Sequence, residues 1–244
     1  MSFLLPLSLP HADAAVRDAS SPHAETRWVA ALALAGVDES RRDEAVAVLV
    51  RLVADDVPEI RAQSLAGLAS HARSGAQVPS EAAQNGLRDP SSEVRLAAID
   101  AAAVLLPGAE DLVAWLLEDP EPEVRLGAAL ALASFGDGRG KAQLEIAAHE
   151  TRGPFAAEAL TALAGLGSDT AVAIARSHLA RRLVPLDLKA ASAVALARLG
   201  HAEGVRLLRE MLDGKREAPR LAALAALANL PCPEFAAEVE QAFP

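Results

Sequence analysis

Apolar residues recur along the chain at three- and four-residue intervals, in runs bounded by an acidic or proline-marked turn before and a Gly or Pro after. The clearest run is Asp119-Pro120-Glu121-Pro122-Glu123-Val124-Arg125-Leu126-Gly127-Ala128-Ala129-Leu130-Ala131-Leu132-Ala133-Ser134-Phe135-Gly136. It predicts a turn, an alanine- and leucine-rich helix, and a glycine stop. Asp89-Pro90-Ser91-Ser92-Glu93-Val94-Arg95-Leu96-Ala97-Ala98-Ile99 is a second copy, and Asp55-Asp56-Val57-Pro58-Glu59-Ile60-Arg61 opens a third. Aligned on the arginine of the Val-Arg step, the copies are marked by Arg27, Arg61, Arg95 and Arg125, then by degenerate versions at Ala156, Lys189 and Arg220. The separations are 34, 34, 30, 31, 33 and 31 residues. A period in this range means stacked supersecondary units, none of which buries its apolar face alone.

The periodicity predicts helices over residues 11–19 and 26–36, 45–53 and 58–72, 80–87 and 93–106, and 110–118 and 123–135. It continues with 141–150 and 155–166, 169–182 and 188–199, 203–212 and 219–230, then a last amphipathic helix at 233–243. No run alternates β-branched residues between hairpin signals, so the expected class is all-α, with about seven stacked units. Composition agrees. The chain is 52% hydrophobic but 3% aromatic, with no Tyr. Its apolar positions are filled by alanine and leucine, both strong helix formers. No linker is long enough to divide it, which predicts one repeat domain over 1–244. Residues 1–10 would cap its start, and the glutamate-bearing 233–243 helix would cap its end.

The recurring Asp-Pro-x-x-Glu-Val-Arg-x-x-Ala-Ala resembles the HEAT-like repeats, including the short version of phycobilin lyase subunits. The resemblance covers nearly the whole chain. It is strong around Arg61, Arg95 and Arg125, weaker at Arg27, Lys189 and Arg220, and poor at Ala156. It implies a right-handed α-solenoid of about seven antiparallel helix pairs, an armadillo-type superhelix, and no single activity.

Asp55 and Arg61, Asp89 and Arg95, and Asp119 and Arg125 are each six residues apart. Each aspartate falls in a turn, where a carboxylate caps backbone N–H groups. Each arginine falls in the first turn of the following helix, within reach of a carboxylate in its own or the next repeat. The pairs read as a ladder joining repeat to repeat, or else as an arginine row for an acidic partner. The ladder lapses at Ala156, where stacking is expected to be looser or bent.

With the residue before each marker as position zero, positions 2, 6 and 9 of the second helix in each pair fall on one face. Position 2 is Trp28, Ala62, Leu96, Leu126, Ala157, Ala190 and Leu221; position 6 is Leu32, Ala66, Asp100, Leu130, Thr161, Val194 and Ala225. Only Asp100 is charged. Such a face is either hidden by tight stacking or forms a concave apolar groove for a partner helix or peptide. In the second case Trp28, Leu32, Leu96, Asp100, Leu126, Leu130, Val194 and Leu221 would line it.

Net charge is −10. That opposes a nucleic-acid-coating role, which needs a basic footprint. Residues 170–220 run against the trend, with ten basic side chains to five acidic ones, leaving the rest at −15. Head-to-tail association or ordinary surface variation would both produce this. The single cysteine, Cys232, allows no disulfide within the chain and fits a reducing compartment. No segment reads as a membrane span.

Catalytic signals are weak. His149-Glu150 is one lone pair of a kind that di-iron HEAT-like hydroxylases use several times. The remaining histidines, His11, His23, His71, His178 and His201, lack ligand spacing and read as surface or cap residues. Gly136-x-Gly138-x-Gly140-Lys141 lacks the preceding strand and following Ser or Thr of a phosphate loop, and reads as a flexible connection. The expectation is therefore a non-catalytic cytoplasmic scaffold or adaptor, monomeric or weakly self-associating, without metal or cofactor, that binds a protein along the concave face. The alternatives are a bilin-lyase-like accessory subunit or a HEAT-like nucleic-acid-binding or repair protein. A continuous basic stripe through Lys189 and Arg198 would favour the last.

Overall fold

The computed structural model describes residues 11–106, 108–150 and 155–242. The expected cap at 1–10, the degenerate turn at Gly153-Pro154 and residue 243 of the final helix lie outside them. Among the described residues the chain is helical throughout. The pairs are α1 (Ala12–Asp18) with α2 (Ala24–Leu34), α3 (Arg42–Leu52) with α4 (Pro58–Arg73), and α5 (Glu81–Gly86) with α6 (Ser92–Leu105). They continue as α7 (Glu110–Ala114) with α8 (Pro122–Ser134), α9 (Lys141–His149) with α10 (Ala156–Gly165), α11 (Asp169–Leu179) with α12 (Leu186–Arg198), and α13 (Ala202–Leu212) with α14 (Glu217–Asn229). α15 (Ala236–Ala242) follows. The second helix of each pair is the inner one.

The helices stop where glycine permits a left-handed residue. Gly136, Gly167 and Gly200 have φ of +80°, +66° and +83°. After each, the next N–H donates back to the carbonyl five residues earlier: Asp137 to Leu132 at 2.9 Å, Ser168 to Leu163 at 3.0 Å, His201 to Leu196 at 2.8 Å. The glycine N–H bonds the carbonyl three residues back, so each end closes as a Schellman motif. The glycine-rich connection after Gly136 is ordered rather than loose. Asp137 accepts from Arg139 N at 2.9 Å and from its Nε at 2.7 Å.

By packing, the chain divides into two compact units, Met1–Ala131 and Leu132–Pro244, with the division inside α8. In the first unit α2 packs on α4 and α4 on α6, with α1, α3 and α5 behind them. Close approach depends on small residues. A Cβ on Gly86 would lie 2.8 Å from both Ala98 Cβ and Leu65 Cδ1, and one on Gly67 3.1 Å from Ala35 Cβ.

The second unit is organised around α12, which touches α10, α11, α13 and α14. Every residue from Ala190 to Ala197 is buried, over more than two turns, so the whole circumference is covered. The sequence there, Ala190-Ala191-Ser192-Ala193-Val194-Ala195-Leu196-Ala197, is nearly all small side chains. Neighbouring backbones close in accordingly. A Cβ on Gly204 of α13 would lie 2.5 Å from Ala193 O and closer still to Ala197 N. Ala190, Ala193, Val194 and Ala197 share a core with Leu208, Met211, Leu227, Cys232 and Phe235. Arg209 Cζ sits 5.3 Å from the Phe235 ring centroid, sealing the edge of that core.

Candidate functional site

The inner face of the first unit is set by the turns that precede each inner helix. Asp55, Asp89 and Asp119 each fold a carboxylate onto the N–H two residues ahead: Val57 at 3.0 Å, Ser91 at 2.9 Å and Glu121 at 3.0 Å. The arginine in the first turn of each inner helix does two things. Its Nη1 donates to the carbonyl of the aspartate six residues earlier, 2.9 Å for Arg61 to Asp55, 2.9 Å for Arg95 to Asp89 and 2.6 Å for Arg125 to Asp119. In Arg61 and Arg95 the other nitrogens grip the carboxylate of the next repeat. Arg61 donates to Asp89 at 2.8 and 2.7 Å, and Arg95 to Asp119 at 2.8 Å twice. Arg27 holds Asp55 in the same way, at 2.6 and 2.8 Å. So the six-residue pair is joined through a backbone carbonyl, and side chain meets side chain only across repeats.

Burial pushes the Asp89 and Asp119 carboxyls up. The arginine and N–H bonds outweigh it and hold both below the ordinary value. In Arg27, Arg61 and Arg95 the Nε, Nη1 and Nη2 atoms are all engaged, which leaves these three little capacity for an acidic partner. Arg95 and Asp119 are themselves buried.

The ladder fixes the first turns of α4, α6 and α8 in register and thereby aims their faces. Among the sequence-predicted residues, Trp28, Leu32, Leu96, Leu126 and Leu130 are half-buried, and Asp100 is exposed. Leu96 lies over α8, where a Cβ on Gly127 would come within 2.9 Å of its Cδ2. The row is interrupted at α4, whose Ala62 and Ala69 are buried while Ala66 is exposed. The surroundings of Asp100 desolvate its carboxyl and raise its pKa, against an opposing pull from Arg73. Beside the ladder, a cleft of about 370 Å³ is lined by Arg95, Asp119, Pro90, Pro120, Glu121 and Trp115, with the indole 46% exposed.

The second unit departs from expectation. Val194 is 1% exposed and belongs to the core, so it lines no groove. The reason is the enclosure of α12, which the small side chains permit. Ala190 and Ala197 are buried with it. Leu221 on α14 is 53% exposed. Lys189 and Arg198 sit at opposite ends of α12 with only buried residues between them, so they form no continuous basic stripe. Two histidines also differ from the surface role expected of them. His71 is buried and bonds Leu34 O through Nε2 at 2.8 Å, and His178 is buried beside Ser192. The sequence left tight stacking and an open groove as alternatives without singling out α12, and it gave no sign of the exposure of Leu183, which is 90%. The uninterrupted run of small residues in α12 is the signal that marks its enclosure.

Among the described residues no three His, Cys, Asp or Glu side chains are grouped to hold a metal ion. No described helix is long and apolar enough to cross a membrane.

Residues 80–164 match the family model of the HEAT repeats. No curated protein matches the chain. Among solved structures, YibA of E. coli is similar with a TM-score of 0.60 at 19% identity, covering 90% of this chain and 80% of that one. An engineered protein is similar with a TM-score of 0.51 at 21% identity, covering 95% of this chain and 71% of that one. At these identities the likeness is one of fold. The chain is an all-α protein of the α-solenoid class, and it is similar to the HEAT repeats over residues 80–164.

Proposed function

We propose that the chain is a protein-binding scaffold whose first unit receives a partner on the inner face of α2, α4, α6 and α8. HEAT repeats commonly mediate protein interactions. The observation that carries the reading is the row Trp28, Leu32, Leu96, Leu126 and Leu130. These large apolar side chains are half-buried rather than enclosed, and lie on helices whose register the ladder holds rigid. Rigid, partly exposed aromatic and aliphatic anchors suit an apolar helix or extended peptide, because little side-chain entropy is lost on binding. Asp100 stands among them as a charge that a complementary basic group would satisfy.

The test is affinity capture from the native host lysate with wild type, Leu126→Glu and Asp100→Arg, each checked for native helicity by circular dichroism. A specific protein retained by wild type and lost by both variants supports the reading. Equal retention by a folded Asp100→Arg and a folded Leu126→Glu contradicts it. If Leu126→Glu unfolds, the exposed position Asp100 decides alone.

A further inference from the structure

Six large apolar side chains stand exposed among the described residues, and four of them lie around the starts of inner helices in the second unit. Phe155 immediately precedes α10, Leu183 and Leu186 lie at the start of α12, and Leu221 is in the second turn of α14. α12 packs on α10 and on α14, and each of α12 and α14 follows a short reversal from its outer helix. Their N-terminal ends therefore share one edge, spaced by about 10 Å per helix. Around the α12 and α14 starts that edge carries exposed Arg181, Arg182, Lys215, Arg216 and Arg220, against Asp187, Asp213 and Glu217, while the α10 start carries the exposed acidic Glu158. At α12 and α14 it is a basic surface in a chain of net charge −10.

Large aliphatic groups left in water at a turn edge, rimmed by cations, mark an interaction surface. We propose that this edge docks an acidic segment of a partner protein that carries aliphatic or aromatic side chains between its carboxylates. The cations select the carboxylates and steer the encounter, and Leu183, Leu186 and Leu221 supply the buried area. A nucleic-acid backbone would satisfy the arginines and leave the leucines in water. An anionic bilayer would meet the −15 carried by the rest of the chain. Both are thus poorer fits. The surface shares no helix with the inner face of the first unit.

A phage-displayed library of random peptides is selected on the wild-type protein, and the consensus peptide is synthesised with a fluorophore. Enrichment of Asp and Glu interspersed with Leu or Phe is expected. Binding by fluorescence anisotropy should then weaken roughly tenfold or more in Leu183→Ser and in Arg182→Glu/Arg216→Glu. It should be unchanged in Arg51→Glu, an exposed position on α3 that belongs to neither proposed binding face. All these positions are exposed, and circular dichroism checks that each variant keeps its native helicity. No enrichment, a neutral or basic consensus, or binding insensitive to the Leu183 and Arg182/Arg216 variants overturns the proposal. So does tighter binding to single-stranded DNA or to phosphatidylserine vesicles that the same variants abolish.

Discussion

Arg95 in α6 and Asp119 before α8 are joined by two parallel hydrogen bonds of 2.8 Å, both side chains being almost wholly removed from solvent. Asp119 also accepts from Glu121 N at 3.0 Å, and Arg95 also donates to the carbonyls of Asp89 and Pro90. Such a pair is fully satisfied, and removing one member strands the other. Asp119→Ala should lower the stability of the first unit by roughly 3 kcal/mol. Asp56→Ala, whose side chain is 84% exposed, should cost at most about 1 kcal/mol. Urea denaturation of the two variants checks this.

The same ladder predicts acid lability. Asp55, Asp89 and Asp119 have folded pKa values below the ordinary 3.8 despite burial that pushes each up, because arginine and N–H bonds favour the charged form. A depressed carboxyl pKa means the unfolded chain binds protons first. Its stabilisation is present above the ordinary value and lost as pH falls through the folded one. Unfolding free energy should therefore fall steeply below about pH 4. Asp119→Asn should flatten the decline, as followed by denaturant titration across pH.

His178 adds a second window. Burial, then the charges of Arg181 and His149, depress its pKa below 6.5. The unfolded chain again takes up the proton first, so stability is lost as pH drops below about 6.5. His178→Asn should remove this step while leaving the carboxylate step below pH 4 in place.

Gly204 is where α13 approaches the α12 backbone. A methyl group there would overlap Ala193 O and Leu196 Cβ, at 2.5 and 2.7 Å. Both are on the main chain or its first side-chain atom and cannot swing aside. Gly204→Ala should cost about 3 kcal/mol even though alanine is the better helix former. Thermal unfolding of the variant measures it.

Core and surface positions of the repeat should separate cleanly in the second unit. Val194→Ala removes methyl groups from the enclosed core and should cost about 2 kcal/mol. Leu221→Ala, at an exposed site, should stay within about 0.5 kcal/mol.

Much of the fold was legible because its signals are local. The Asp-Pro turns, the fourth-residue arginines and the glycines at 136, 167 and 200 act within a few residues of themselves, and the helices fall within a few residues of expectation. The ladder's partner choice was not legible. Asp-to-Arg spacing within a repeat is constant, but the carboxylate that Arg95 grips is set by how α6 and α8 stack. Nor was the fate of equivalent positions. Leu130 and Val194 share a place in the repeat, yet one is half-buried and the other is core. The difference lies in how closely four neighbours approach α12, which depends on Gly204 and the alanines together.

The docking reading rests on the inner face of the first unit being open to a partner. A bulky maleimide polymer attached at Asp100→Cys would block that face, and the native Cys232, being buried, would stay unmodified. The control is the same polymer at Arg51→Cys, an exposed position on α3. The account predicts that the modified Asp100→Cys protein loses the partner that the modified Arg51→Cys protein keeps. Retention by both would contradict it.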